Sequence, residues 1–258
     1  MEGLSRLWDA VDAVYCITLR SRPERRRAAE TQFAAVDLIS RVVFLEQTPD
    51  VEDGKRGCFC AHQQAARRAL DAGCERVLIF EDDVTFLPTF TGHAAARAAA
   101  FLRDSGAHGS WRVFFLGHFP RKMELLGDSA DVVRVNSMDA HAYVLSAAGM
   151  AELCSLTYAG EQVDVHFHYR CEEAFALYPM VAVQRPGASD TEGIERADDW
   201  NEDKFKREAD LYDGCVRRKA LAVAMGLLAV APAPAMAPAA CAPVQGPISG
   251  PDSASEKA

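Results

Sequence analysis

Residues 77–84 have the sequence Val-Leu-Ile-Phe-Glu-Asp-Asp-Val. The four apolar residues that begin this stretch predict a strand buried on both faces, as in a parallel sheet between helices. Three carboxylates follow at the carboxyl end of the strand, which is where open α/β sheets bind their ligands. Side chains alternate along a strand, so we expect Glu81 and Asp83 to point one way and Asp82 the other.

These adjacent carboxylates predict a bound cation. Like charges at the edge of an apolar core repel one another, and a cation would relieve that repulsion. Carboxylate oxygens are the ligands that Mg²⁺ and Mn²⁺ prefer, and Mg²⁺ is commonly shared between carboxylates and a substrate phosphate. We therefore predict a divalent ion at Glu81 and Asp83. The alternative is a solvated acidic turn, which an acidic chain can contain by chance.

Strands and helices alternate around this stretch, and the order β-α-β-α-β predicts an α/β fold with a mostly parallel sheet. Besides the stretch at 77–84, the predicted strands are residues 14–19, 41–46, 111–119, 132–135, 141–145 and 179–184. The predicted helices are residues 23–37, 58–72, 92–103 and 146–154, followed by a charged, solvated outer helix at 198–218.

Length and composition predict one domain with extensions at both ends. The chain has 258 residues, of which 49% are hydrophobic, enough for one good-sized core. We assign residues 13–219 to the domain and residues 1–12 to an N-terminal extension. Residues 220–258 predict a disordered Ala/Pro-rich tail. Four prolines within 220–244 favour that tail over a membrane span, so membrane association is not expected.

Charge and cysteine content exclude several classes of protein. A net charge of −9 argues against nucleic-acid binding. The eight cysteines form no CxxC pair or zinc-spaced set, so we expect reduced, mostly buried thiols. No signal peptide is visible, and a cytoplasmic location is expected. The chain also lacks the GxGxxG, GxxxxGK[ST], HExxH and GxSxG motifs of the commonest nucleotide-binding and hydrolytic enzymes.

The turn after the first strand is rich in arginine. Arg20, Arg22, Arg25, Arg26 and Arg27 lie around the start of the first predicted helix. Arginines beside a helix amino terminus predict a diphosphate-binding corner, although a solvated basic helix face would have the same composition. Together with a cation at the acidic strand, such a corner suits chemistry on a diphosphate leaving group.

Several stretches together resemble glycosyltransferase family 25, which includes lipopolysaccharide-biosynthesis and collagen galactosyltransferases. They are VYCITLRSRPERRR at 14–27, Gly57-Cys58 to His62 followed by the EDDV strand, and His141-Ala142-Tyr143. Asp164, Tyr178-Pro179 and Gln184 to Ser189 continue the similarity more loosely. The resemblance covers residues 13–195. Ala61 and Ala140 depart from the serine and threonine usual in the family.

The resemblance implies a GT-A type fold, a UDP-sugar donor such as UDP-galactose or UDP-glucose, and Mn²⁺ or Mg²⁺ at a DxD-like motif. It implies an inverting transfer to a hydroxyl of a glycan, a lipid-linked saccharide or a peptide. Glu81 and Asp83 would hold the metal ion, and His141 and Tyr143 would bind the acceptor. The donor would be bound by Thr18, Leu19, Arg22, Arg25, His62 and Asp82.

An inverting transfer needs a carboxylate base close to the acceptor hydroxyl. Asp164 matches a family acidic position and is our candidate, with Glu172 or Glu173 as alternatives. Two other functions stay open. One is a haloacid-dehalogenase-like phosphatase, whose DxDx[TV] motif Glu81-Asp82-Asp83-Val84-Thr85 nearly matches, although Glu81 would misplace the attacking oxygen. The other is a sugar-nucleotide-binding protein without catalysis.

Overall fold

The computed structural model describes residues 4–104, 111–126, 131–170, 173–191 and 193–225. The strands in that part of the chain are β1 (Ala13–Leu19), β2 (Val42–Gln47), β3 (Arg76–Glu81), β4 (Val84–Phe86), β5 (Val113–Leu125), β6 (Val132–Ser146), β7 (Ala174–Leu177), β8 (Ala182–Gln184), β9 (Gly187–Ala188) and β10 (Glu195–Arg196). The helices are α1 (Ser5–Trp8), α2 (Pro23–Ala35), α3 (Gly54–Asp71), α4 (Gly92–Arg103), α5 (Ala147–Ser155), α6 (Val163–Arg170) and α7 (Glu202–Ala224).

One six-stranded sheet, in the order β2-β1-β3-β6-β5-β7, forms the centre of the molecule. The pairs β1–β2, β1–β3 and β5–β7 are parallel, whereas β6 runs antiparallel to β3 and β5. Small antiparallel pairs, β4–β8 and β9–β10, lie outside it. The predicted α/β fold with a mostly parallel sheet is confirmed.

The sheet is covered by helices on both faces. Leu78 and Phe80 of β3 belong to a core that includes residues of α1, α2 and α4. Val77 and Ile79 belong to a second core with residues of α3, α5, α6 and α7. This split follows from the alternation of side chains along a strand, and it explains why four successive residues of β3 are all apolar and fully buried.

Some elements differ from the sequence-based prediction. The predicted strands at 132–135 and 141–145 are one long strand, β6, because it pairs with β5 along most of its length. The backbone of Asp139 within β6 is left-handed, with φ of 64°, and the register of β5 and β6 shifts nearby, between Gly117 and Phe119. A strand that changes register can carry polar residues without losing its pairing.

The last helix is predicted to be a solvated outer helix, and most of its residues are exposed, but part of one face is buried. Lys204 and Glu208 of α7 are 3% and 4% exposed. Both Glu208 carboxylate oxygens accept hydrogen bonds from the backbone N–H of Met180. Buried charges require such partners, so α7 is part of the folded domain. It extends to Ala224, beyond the predicted domain end at 219, and the tail lies outside the described residues from 226 onward.

The described cysteines are all free thiols, of which Cys16 and Cys215 are buried and Cys60 is exposed. None of the helices in the described part of the chain combines the length and hydrophobicity needed to span a bilayer.

The N-terminal residues pack against the domain in their described part. Leu7 and Trp8 are fully buried in the α1–α2–α4 core. The indole Nε1 of Trp8 donates a 2.9 Å hydrogen bond to the carbonyl of Val36, and its ring meets Phe90 edge-on at 5.3 Å. The residues assigned to an extension thus contribute to the same core as the sheet.

We expect Trp8→Ala to lower the free energy of unfolding by about 3–5 kcal/mol, because it leaves a large cavity and an unpaired carbonyl. Urea denaturation followed by circular dichroism would measure this. Val51→Ala is the control, because Val51 is 94% exposed and should leave the midpoint unchanged. Equal midpoints for Trp8→Ala and Val51→Ala would show that the N-terminal helix is dispensable for folding.

Candidate functional site

Two adjoining cavities lie at the carboxyl ends of β1 and β3. The smaller, of about 110 Å³, lies between the end of β1, the start of α3 and the loop after β9. The larger, of about 500 Å³, lies between β6, α6 and the start of α7, and its size is typical of small-molecule sites. The residues that line both cavities are Cys58, Glu81, Thr191 and Arg196.

The three acids of the central stretch are brought together at this junction, but not in the predicted alternation. Strand β3 ends at Glu81, and Asp82 and Asp83 form a turn before β4. Asp82 accepts a 2.7 Å hydrogen bond from the Thr18 hydroxyl. Both aspartates contact Arg25, whose Nη2 lies 2.6 Å from Asp82 and 3.2 Å from Asp83. Because the chain turns after Glu81, the strand rule does not apply to Asp82 and Asp83.

The arginine corner contributes Arg22 and Arg25 to the site. Their guanidinium groups lie 2.5 Å and 3.1 Å from the two carboxylate oxygens of Asp190, which follows β9. Arg20 and Arg26 instead pair with Glu46 on the neighbouring strand β2. Only part of the basic turn is thus directed at the acidic stretch, and the backbone of Leu19 also hydrogen-bonds to Asp82.

Asp83 has the features of a potential metal ligand. Its Oδ2 accepts a 2.8 Å hydrogen bond from Arg196, whereas its Oδ1 is buried and has no hydrogen-bond partner among the described residues. Burial and the nearby charge of Glu81 raise the pKa of Asp83, against the opposing effect of Arg25 and Arg196. An unpartnered carboxylate oxygen beside a second carboxylate fits a hard divalent ion, so the donor set fits Mn²⁺ or Mg²⁺.

Glu81 is held in a chain of buried polar groups. Its Oε1 lies 3.1 Å from Nε2 of His62, and Nδ1 of His62 lies 2.8 Å from the hydroxyl of Tyr143. Its Oε2 accepts a hydrogen bond from Gln184, whose side-chain oxygen accepts one from Lys204. Burial would raise the pKa of Glu81, but the hydrogen bond and charge of His62 lower it. Of the acids in this group, Glu81 therefore has its pKa lowered, whereas those of Asp82 and Asp83 are raised.

His141 and Tyr143 are predicted to bind the acceptor, and the structure places both of them beneath the two cavities. Both side chains are fully buried on β6, and neither lines the two cavities. Tyr143 positions His62, while Nε2 of His141 lies 3.4 Å from the carbonyl of Ala182. Burial, with the charge of Lys204, lowers the pKa of His141 to about 4. In the structure their polar contacts are thus with His62 and with the backbone of Ala182.

Asp164 lines the larger cavity from the first turn of α6. Its carboxylate accepts hydrogen bonds from the backbone N–H groups of Asp139 and Val165. Burial raises the pKa of Asp164 to about 6, in the range that suits a general base. Of the two alternative bases, Glu173 precedes β7 at the opposite end of the sheet, and Glu172 lies outside the described residues.

Three charged residues of the site were not predicted from the sequence. Asp190 and Arg196 come from the β9–β10 hairpin, and Lys204 comes from α7. Lys204 is buried with its Nζ 2.6 Å from Asp139, and its helix was predicted to be solvated because the surrounding residues are mostly charged. The only signal for Asp190 and Arg196 was their place just after the loosely similar segment that ends at Ser189.

Curated proteins similar to this chain are named as members of the glycosyltransferase 25 family. A human protein, inactive glycosyltransferase 25 family member 3, is 26% identical in a match that covers 74% of this chain and 40% of the relative. A cattle protein, probable inactive glycosyltransferase 25 family member 3, is 25% identical with the same coverage. The chain thus spans about two fifths of the length of these relatives. No protein-family model matches it.

Solved structures share the fold only distantly. The A197 protein from STIV has a TM-score of 0.43 at 13% identity, covering 67% of this chain and 84% of that chain. UDP-glucose pyrophosphorylase complexed with UDP-glucose has a TM-score of 0.41 at 9% identity, covering 82% and 85%. The function of the site is therefore inferred from its own residues and from the sequence relatives.

The raised pKa of Asp164 predicts a pH-dependent loss of stability. The unfolded chain ionises this carboxyl near pH 4, whereas the folded protein keeps the proton until about pH 6. The wild type should therefore lose about 2–3 kcal/mol of unfolding free energy between pH 4 and pH 8 relative to Asp164→Asn. Urea denaturation across this range measures the difference.

Asp199→Asn is the matched control, because Asp199 also lines the larger cavity but is exposed. Its unfolding free energy should stay close to that of wild type, because substitutions at exposed positions have small effects. A constant difference from wild type for Asp164→Asn would show that Asp164 titrates normally in the folded protein.

Proposed function

The chain is related in sequence to the glycosyltransferase 25 family, and from that premise we propose that it transfers a hexose from a UDP-sugar to an acceptor hydroxyl. Galactose and glucose are the proposed sugars, and the transfer is inverting. The observation that carries the proposal is the unpartnered, buried oxygen of Asp83, set beside Glu81 and the guanidinium groups of Arg25 and Arg196. That mixture of charges suits a cation and a diphosphate together.

The smaller cavity is the proposed diphosphate position. Helix α2 begins at Pro23 directly after β1, and a helix amino terminus attracts anions. Arg22 and Arg25 carry the positive charge there, and at present they are paired with Asp190, Asp82 and Asp83. At about 110 Å³ this cavity suits a diphosphate rather than a whole nucleotide sugar, so the sugar is proposed to extend towards the larger cavity.

Glu81 and Asp83 are the residues that would hold Mn²⁺ or Mg²⁺. When bound, such an ion supplies charge stabilisation to the departing diphosphate. His62 and Gln184 keep Glu81 ionised and oriented, because each hydrogen-bonds to one of its oxygens. Arg196 limits the charge that accumulates at Asp83, with its Nη1 at 2.8 Å.

The larger cavity is the proposed acceptor position. Asp164 is proposed to take the proton from the attacking hydroxyl, because it is the buried cavity carboxylate whose pKa lies near 6. The indole of Trp200 also lines this cavity and is flanked by Arg196 and Lys204. An aromatic ring that lines a cavity suits stacking against an apolar face of a sugar. Glycans, lipid-linked saccharides and peptides remain the proposed acceptor classes.

A second candidate is a protein that binds sugar nucleotides without catalysis. It is favoured by the names of the human and cattle relatives, which call them inactive or probable inactive. The ion pairs of Asp83 with Arg25 and Arg196 are also compatible with it, because arginines can neutralise an acidic site without a metal ion.

Screening UDP-sugars for Mn²⁺-dependent UDP release, together with calorimetric binding, separates these functions. We expect wild type to release UDP from UDP-galactose or UDP-glucose, and Asp83→Ala to be slower by about 100-fold, because charge stabilisation of the leaving group is lost. Glu75→Ala is the matched control, since Glu75 lies at the other end of β3 and its side chain is 75% exposed.

Each other outcome has a defined meaning. Binding of a UDP-sugar without UDP release supports the non-catalytic protein, and absence of binding overturns both candidates. Equal rates for wild type and Asp83→Ala would remove Asp83 from the metal site. Phosphate release from a simple phosphate ester would instead support the phosphatase alternative.

Asp164→Asn tests the proposed base. Loss of the proton acceptor should lower kcat by about 10²–10⁴-fold and leave the dissociation constant of the UDP-sugar unchanged, because Asp164 is on the acceptor side. Asp210→Asn, which changes an exposed carboxylate that lines neither cavity, should retain the wild-type kcat. A kcat for Asp164→Asn within a few-fold of wild type would assign the base to another group.

A further inference from the structure

We propose that Cys58, His62 and Glu81 form a binding site for a divalent transition ion of the zinc class, with a thiolate, an imidazole and a carboxylate as ligands. This set differs from the Glu81–Asp83 pair in containing sulfur and nitrogen. One coordination position is left for water or a ligand, because the chain supplies three donors and zinc prefers four.

The three ligand atoms already lie close together. All of them are within 4.8 Å of one another, and Nε2 of His62 is 3.1 Å from Oε1 of Glu81. Cys58 and His62 are four residues apart on α3, so they share one face of the helix. Helix α3 packs against β3, which ends at Glu81. The arrangement therefore follows from regular elements of the fold rather than from a chance meeting of loops.

The ligands are also oriented by neighbours that are not ligands. The second ring nitrogen of His62 is hydrogen-bonded to the Tyr143 hydroxyl at 2.8 Å, and the two rings are stacked. The second oxygen of Glu81 accepts a hydrogen bond from Gln184. Metal-binding histidines usually have their other nitrogen fixed in this way. Nε2 of His62 would then be free to bind the ion once the contact with Glu81 is replaced.

Charge and softness favour zinc over magnesium at this position. A thiolate and a carboxylate together carry the two negative charges that neutralise a divalent ion, and binding releases the thiol proton. Thiolate ligands favour Zn²⁺ and Co²⁺, whereas Mg²⁺ and Mn²⁺ favour oxygen. Cys58 and Glu81 both line the two cavities, so accessible space adjoins two of the three ligands.

Glu81 is common to this site and to the proposed donor-cation pair, so the two ions would exclude each other. Zinc would then inhibit the Mn²⁺-supported reaction. That consequence rests on the proposed function, whereas the site itself depends only on its three ligands and can be tested without any sugar nucleotide.

Cobalt titration of the metal-free, reduced full-length chain tests the site directly. Thiolate-bound Co²⁺ has a sulfur-to-metal charge-transfer band in the near ultraviolet, which we expect for wild type and which Zn²⁺ should displace. Cys58→Ser should lose the band. Cys60→Ser is the matched control, because Cys60 is two residues further along α3 and exposed, and it should keep the band.

A second variant keeps the test decisive if Cys58→Ser does not fold, as judged by circular dichroism. Tyr143→Phe retains all three ligands and removes only the hydroxyl that orients His62, so Zn²⁺ should bind about 10–100-fold more weakly. No band in wild type, an equal band in folded Cys58→Ser, or unchanged Zn²⁺ affinity in Tyr143→Phe would overturn the site. Each of these results leaves the UDP-sugar proposal standing, because that proposal uses Asp83 and a hard ion.

Discussion

The site depends on pairing the charges of three consecutive carboxylates, Glu81, Asp82 and Asp83, at the end of a buried strand. Asp82 and Asp83 are 4% and 5% exposed, and a buried charge is strongly unfavourable unless it is paired and hydrogen-bonded. Arg25 contacts both aspartates, and His62 and Gln184 hold Glu81. Partners of this acidic group thus come from β1, α2, α3, β8 and β10.

The different partners of these acids also give them different pKa values. Glu81 interacts with a histidine and an amide and stays ionised, whereas burial and the charge of Glu81 raise the pKa of Asp83. The pKa of Asp164, which lies across the larger cavity, is raised mainly by burial. Neighbouring carboxyls whose pKa values are driven apart are a common feature of sites that bind cations or move protons. The same edge of the sheet thus offers both a charged and a proton-accepting group.

Much of the central fold could be predicted because it follows from local patterns. The apolar run of β3 and the alternation with helices predict parallel strands, and β1, β2 and β3 are parallel. The carboxyl ends of β1 and β3 lie side by side, which brings Thr18 near Asp82. Helix α3 began four residues before the predicted start, because Asp53 caps it by accepting hydrogen bonds from the N–H groups of Lys55 and Arg56. The continuity of β6 depended on pairing with β5, which no local pattern encodes.

The sequence by itself determined the buried strand, the acids that end it, and the basic turn that meets them. Only the tertiary structure decided which charged residues contact one another. Arg196 and Asp190 belong to a hairpin that lies more than a hundred residues from the acidic stretch. Lys204 belongs to a helix whose composition predicts exposure. The tertiary structure also placed His141 and Tyr143 beneath the site instead of on its surface. The periodicity of the sequence indicates whether a residue faces a core. The pairing of buried charges depends on contacts between distant segments, because each buried charge needs a partner and that partner can come from any part of the chain.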